Sequence, residues 1–261
     1  MKKLLGFAIA FAAILILVGC ESNVAPEAPL VTSTVADSGA TLVLSWSAVT
    51  GADGYIIYAD GVAIDTITTT TYDATVPAAL YAVSAYAGAD ESATDEIDCT
   101  PVETANKNVY GLSDPDVNHH SGLGFNAAGT AVTYSVVSAN YTSLDFFFDD
   151  LNFTDGLYIV SPSDHVPAYN TEENASAAST VTSFDALTIA AAPGNYNTQR
   201  ILANSAVYSL WIDPNANNWD ATEDHFAKMK VESLTGTAAP FAAVITLAYQ
   251  PIAGLRWLVT D

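Results

Sequence analysis

The sequence predicts an all-β protein made of two successive antiparallel modules, a β-sandwich followed by a second β-sandwich or barrel. Three observations predict it. Strand-length runs that alternate apolar and polar residues recur along most of the chain. Clusters of Asn, Asp, Gly, Pro and Ser separate those runs at the places where an antiparallel chain must turn. Half of the residues are apolar, with thirteen Tyr, ten Phe and four Trp, enough to fill a core without long helices. One polar, alanine-rich patch, Thr171 to Thr180, reads as a short helix or a loop.

In the first module, Thr41 to Trp46 alternates, with Leu42, Leu44 and Trp46 on one face. Tyr55-Ile56-Ile57-Tyr58 forms the next strand. Asp60-Gly61 stands where a tight hairpin needs positive φ, and Val62 to Ile67 returns. The β-branched run Thr68 to Tyr72 favours an extended chain. Leu80 to Tyr86 alternates again, and Gly88-Ala89-Asp90 turns towards a last strand before Cys99. Seven short strands at this spacing predict a sandwich.

These residues resemble a fibronectin type III domain. The matching positions are Pro26 and Pro29, Trp46, the stretch GADGYIIYADG around Tyr55, LYAVSAYAG with Tyr81 at the corner-tyrosine position, and ESATDEIDCTP. The resemblance spans residues 26–102, with the domain itself at 30–102, and implies that Trp46 is a core plate and that the Tyr81 hydroxyl returns to backbone. Such domains serve as spacers and binding modules. The Arg-Gly-Asp adhesion loop of some relatives is impossible here, because the segment has no Arg.

Residues 103–108 read as a polar linker into a module of residues 109–261. Its expected strands are Val132–Val136, Leu144–Phe148, Leu157–Val160, Ala206–Trp211, Phe226–Val231 and Ala243–Tyr249. Long loops are expected at 112–129, 161–180 and 213–224. HHSGLGFN (119–126), DFFFDD (145–150), HFAKMKVESLTG (225–236) and ITLAYQP (245–251) resemble the C-terminal domain of HmuY-type bacterial surface lipoproteins. That resemblance implies haem held between two histidines. No pair among His119, His120, His165 and His225 aligns onto the family's ligand positions, so the haem activity is not carried over.

At the other end, Lys2 and Lys3 precede an apolar run, Leu4 to Val18, that stops at Cys20. This is the layout of an export signal over residues 1–19, too short for a stable spanning helix. Leu17-Val18-Gly19-Cys20 resembles a lipobox, which implies cleavage before Cys20 and lipid on that cysteine. Residues 20–29 then form a polar, proline-bearing tether. Glu21 after the cysteine agrees with sorting to the outer membrane.

Charge narrows the partners. No Lys or Arg occurs from Leu4 to Asn106. Beyond the signal there are five (Lys107, Arg200, Lys228, Lys230 and Arg256) against twenty-nine acids in the whole chain. Nucleic-acid binding needs clustered cations and is excluded. Polybasic attachment to anionic lipid fails for the same reason, leaving acyl chains as the membrane contact. With Cys20 lipidated, Cys99 has no intramolecular partner and reads as a half-buried residue near a strand end.

Candidate chemistry is sparse. Asp213, Asn215, Asn217, Asp220 and Asp224 place oxygens at a spacing that could wrap Ca²⁺, although Asp, Asn and Pro are equally the residues of a plain turn. Asn218 stands where an EF-hand loop has Gly. Asp149 and Asp150 read as solvated strand-end acids that cannot pair, since neighbours on a strand face opposite ways. His119 and His120 offer one shell of a metal or ligand site. Trp219, alone in a polar loop, is the aromatic ring most open to a sugar, whereas Trp211, Tyr208 and Tyr249 sit on strands where core packing is expected. No nucleophile elbow, phosphate loop or dinucleotide fingerprint occurs. The expectation is a non-enzymatic, lipid-anchored envelope protein whose β-rich head holds a protein, glycan or small ligand. A haem carrier and a polysaccharide-hydrolase accessory are the alternatives.

Overall fold

Alternation decides the first module. The computed structural model describes residues 24–153, 155–165, 173–215 and 218–260. The signal, Cys20 and Asn217 lie outside them, as does the side chain of His165. Eight strands come first: β1 (Thr32–Ala36), β2 (Thr41–Ser45), β3 (Gly54–Ala59), β4 (Val62–Ile67), β5 (Thr71–Ala74), β6 (Leu80–Ala87), β7 (Asp90–Glu91) and β8 (Asp95–Asp98). One sheet has the order β1-β2-β5, and the other runs β4-β3-β6-β7 with β8 also paired to β6. Leu42 and Leu44 of β2 face Tyr55 and Ile57 of β3 and Tyr81, Val83 and Ala85 of β6 across a shared core. Trp46 meets the Tyr55 ring edge-on at 5.1 Å. The Tyr81 hydroxyl donates to the Val76 carbonyl at 2.7 Å, closing the corner expected of it. Asp60 (φ 48°) and Gly61 (φ 76°) make the hairpin between β3 and β4, where Gly has no Cβ to clash.

Ten further strands build the second module: β9 (Val102–Tyr110), β10 (Gly122–Phe125), β11 (Ala131–Tyr134), β12 (Phe146–Asp149), β13 (Tyr158–Val160), β14 (Ala175–Ala178), β15 (Gln199–Ile201), β16 (Val207–Ile212), β17 (His225–Thr235) and β18 (Ala242–Tyr249). They form two antiparallel five-stranded sheets, β11-β10-β12-β13-β15 and β14-β16-β17-β18-β9. Phe146, Phe148 and Ile159 of the first meet Leu210, Met229, Ile245 and Leu247 of the second in one apolar layer. The short helix α1 (Pro162–His165) follows β13. Among the described residues, no helix is long and apolar enough to cross a membrane.

Several expectations need correction. The segment 103–108 is not a linker: it is the middle of β9, paired antiparallel to β18. The β9 side chains turned away from the sandwich core meet solvent and can be polar, while Thr104 turns inward and its hydroxyl accepts the Ala131 amide. Asn106, at φ 54°, sits where the β9–β18 register shifts. The patch 171–180 contains a strand, β14, rather than a helix, and the expected loop 112–129 contains β10. Cys99 is fully buried, and burial pushes its thiol up to about 12, so it is packing material and not a reactive group.

The largest correction concerns the C-terminal stretch. Leu255 and Trp257 do not belong to the second module's core. They are buried with Leu42, Leu44, Tyr81 and Cys99 in the core of the first. The Trp257 ring packs on Tyr81 with centroids 5.6 Å apart, and its indole N–H donates to the Ala40 carbonyl at 3.1 Å. Gln250 donates from one amide nitrogen to the Cys99 and Trp257 carbonyls. Gly39, at φ 86°, accepts the Arg256 amide, and a Cβ there would stand 2.3 Å from the Gly254 oxygen. Only glycine fits, because both the backbone angle and the space forbid a side chain.

If Trp46 is the core plate its surroundings indicate, Trp46→Ala will lower stability by about 3–5 kcal/mol through the cavity left behind. Tyr81→Phe will cost about 1 kcal/mol by removing one hydrogen bond and no packing. Urea unfolding of the two variants should show that ratio.

Candidate functional site

The outer face of the β14-β16-β17-β18-β9 sheet carries an aromatic-walled concavity. β16 points Tyr208, Leu210 and Ile212 into the sandwich, so Val207, Ser209 and Trp211 face the other way. Over this face lie residues 181–196 and 255–258, which contribute Leu187, Ala190 and Leu258 to a small apolar cluster with Val207 and Phe226. At its margin, a cleft of about 570 Å³ opens between Tyr196, Trp211 and Trp219. Glu173, Asp213, Thr198 and Asn218 supply its polar walls, and Ser38 of the first module reaches its edge. The site therefore lies where the two modules meet.

Each ring is held by its polar tip. The Trp211 indole N–H donates to Asp224 Oδ2 at 3.0 Å, the Trp219 indole N–H to the Gly254 carbonyl at 3.1 Å, and the Tyr196 hydroxyl to the Ala191 carbonyl at 3.0 Å. Tyr196 stands edge-on to Trp211 at 5.6 Å, and Phe226 stacks on Trp211 at 6.2 Å. Burial raises the Tyr196 phenol well above its ordinary range, so this hydroxyl stays protonated. Asp213 is seated by its own amide, which donates to Asn174 Oδ1 at 2.7 Å, and its carbonyl accepts the Glu173 amide.

Of the five residues expected to wrap calcium, Asn217 lies outside the described residues, and the other four bond within their own loop and its neighbours. Asp213 Oδ1 accepts the Asn215 amide, Asp220 Oδ1 accepts the amide and hydroxyl of Thr222, and Asn215 donates to Glu223. Asp224 turns inward, fully buried, and its Oδ2 also accepts the Asp220 amide. Among the described residues, no group of three or more His, Cys, Asp or Glu is placed to hold a metal ion. Their oxygens serve the turn itself, as Asp and Asn side chains do in loops.

The strand-end acids are likewise not solvated. Asp149 and Asp150 are both buried. Asp149 accepts the Leu151 and Asn152 amides. Asp150 accepts the Ser113 amide, the Ser113 hydroxyl and the Phe241 amide, each at 2.8 Å, tying two loops to the end of β12. Gly111 makes room for it, since a Cβ there would lie 2.1 Å from the Asp150 carboxyl carbon.

The three histidines whose side chains are described occupy separate surroundings. His119 stacks on Tyr110 at 3.8 Å and bonds Asp114 at 2.9 Å, with Asp116 3.8 Å from its other nitrogen. The Asp116 amide, then His119, hold the Asp114 carboxyl below its usual range. His120 meets the Thr133 carbonyl at the edge of a shallow hollow of about 300 Å³. His225 begins β17, bonds the Gln250 carbonyl and stacks on Tyr249; burial, opposed by that carbonyl, keeps its pKa low. Lys228 of β17 is fully buried, donates to the Thr260 hydroxyl at 2.7 Å and lies over the Phe184 ring; burial brings its pKa down to about 8.

No family model matches the chain, and no curated protein matches it. Eleven solved chains do match. One of them, described as "Structure of FN3tt mut", is 27% identical over 28% of this chain and 92% of its own, with a TM-score of 0.23.

Sequence reasoning put Trp219 forward and left Trp211 to the core. The signal it missed was register: Trp211 is out of phase with Tyr208, Leu210 and Ile212 on the same strand. Glu173, Tyr196 and Thr198 carried no motif, because the fold alone assembles them from distant loops.

Burial raises the Asp224 pKa to about 6, against amide and indole bonds that favour its charged form. The folded chain thus holds this proton more tightly than the unfolded chain, whose carboxyl titrates near ~3.9. The stability it contributes is complete below about pH 4 and is lost as pH rises through about 6. Asp224→Asn will remove that component. Urea midpoints measured from about pH 4 to about pH 7 should fall more in the wild type than in the variant, which cancels the opposite contribution of His225.

Proposed function

We propose that this chain is a non-enzymatic, lipid-anchored lipoprotein of a bacterial cell envelope. In this reading, a fibronectin type III-like sandwich raises a β-rich head above the membrane, and the head holds a ligand in the cleft at the joint. The observation that carries the anchor is Leu17-Val18-Gly19-Cys20 at the end of a charged-then-apolar leader, followed by a polar tether. Scarcity of Lys and Arg supports acyl chains as the membrane contact, and Glu21 supports an outer-membrane destination.

A binding role is supported by the kind of site available. The cleft is concave, walled by aromatic rings and edged by a few polar groups, as small-ligand sites are. The adjacent acids Asp149 and Asp150 are engaged by amides and a hydroxyl. No nucleophile stands beside a histidine in the bonds made by His119, His120 or His225.

Metabolic labelling with a palmitate analogue tests the anchor. The wild-type chain should take up label and pellet with membranes, and Cys20→Ala should lose the label and leave the membrane fraction. Unlabelled wild-type protein would overturn the reading.

A further inference from the structure

We propose that the cleft between Tyr196, Trp211 and Trp219 binds a short, uncharged glycan; this rests on reading the second module as a ligand-binding head. The volume, about 570 Å³, falls within the range of roughly 300–1,000 Å³ typical of small-ligand pockets. What distinguishes ligand classes is the lining.

The rings come first. Both indole N–H groups are already bonded to the protein, to Asp224 and to Gly254, and so are not offered to a ligand. What remains for a ligand is π-surface. Phe226 stacks on one side of Trp211, and Tyr196 stands edge-on to it, so the ring cannot swing aside. An aromatic face carries partial negative charge and attracts the weakly positive C–H groups on the flat side of a sugar ring. Fixing the rings before binding removes part of the ordering cost that binding would otherwise carry.

The polar groups narrow the class further. Glu173 accepts hydrogen bonds and Thr198 and Asn218 both donate and accept, whereas Asp213, buried and already bonded to the Asn215 amide, adds negative charge to the wall. A sugar hydroxyl does both, so a polyhydroxylated ligand uses the whole set. A quaternary ammonium would suit the rings and carboxylates but would leave the donors of Thr198 and Asn218 without a role. Phosphate, sulfate or uronate groups would meet two acids and no Lys or Arg in the lining, on a chain of net charge −22. An uncharged glycan is what satisfies every wall.

The test uses the full chain in a sugar-free detergent, applied to a printed array of neutral and acidic oligosaccharides. The strongest neutral hit is then titrated by tryptophan fluorescence, with choline as the cationic probe. Neutral glycans should bind, acidic ones and choline should not, and Trp219→Ala should weaken the hit at least tenfold. Trp219→Phe, which keeps a ring, should stay within about threefold, and Glu173→Gln should retain binding. Circular dichroism checks that the variants fold. Binding of choline alone, binding of acidic glycans alone, no neutral hit, or a Trp219→Ala chain that is folded and binds unchanged would each overturn the proposal. Labelling at Cys20 reads separately: an acylated chain without a neutral glycan loses this inference and keeps its anchor, and the converse result does the reverse.

Discussion

The burial of Trp257 is the constraint on which the rest of the structure depends. This ring lies more than two hundred positions from Ala40, whose carbonyl accepts its indole hydrogen, yet it completes the core between Tyr81, Leu42 and Leu44. A small sandwich has little apolar volume to spare, and a tryptophan is the largest contribution one side chain can make. Because the strap that carries Trp257 leaves directly from β18, the two modules are bound through a shared core and not merely through a tether. At Gly39 and Gly254 the two backbones lie too close for a side chain on Gly39.

The same strap also shapes the cleft. The Gly254 amide donates to the Asp224 carbonyl, and its own carbonyl accepts the Trp219 indole. One residue therefore fixes both the loop that carries Trp219 and the backbone of the acid that orients Trp211. Asp224 holds that indole with one oxygen while the other is buried without a partner. An unpaired buried oxygen disfavours the charged form, which is why its proton persists well above the ordinary carboxylate range. The geometry of the ring wall is thus maintained partly at the expense of stability at neutral pH.

What could be read from the chain divides along physical lines. Strands whose inward residues are large and regularly spaced were legible, such as Leu42 and Leu44 in β2 or Ala243, Ile245 and Leu247 in β18. β10 was not, because Gly122 and Gly124 leave no alternation; a Cβ on either would collide with Leu144 or with the Ser143 backbone. β14, Ala-Ser-Ala-Ala, has no large residue to mark a face. β9 looked like a linker because most of its side chains are polar and only Thr104 and Val109 are buried. At the site, Trp219 was visible as an aromatic ring among polar neighbours. The burial of Asp150 was not, since its partners Ser113 and Phe241 lie 37 and 91 positions away. Long-range partners leave no local signature.

If a shared core joins the modules, damage at the C-terminal strap must be felt in strands far away in sequence. Hydrogen exchange, followed by mass spectrometry on the wild-type chain and on Trp257→Ala, measures this directly. The account predicts faster exchange in the variant across β2, β3 and β6 of the first sandwich, as well as around the strap. Exchange that changes only in the second module, with residues 41–87 as protected as before, would contradict it.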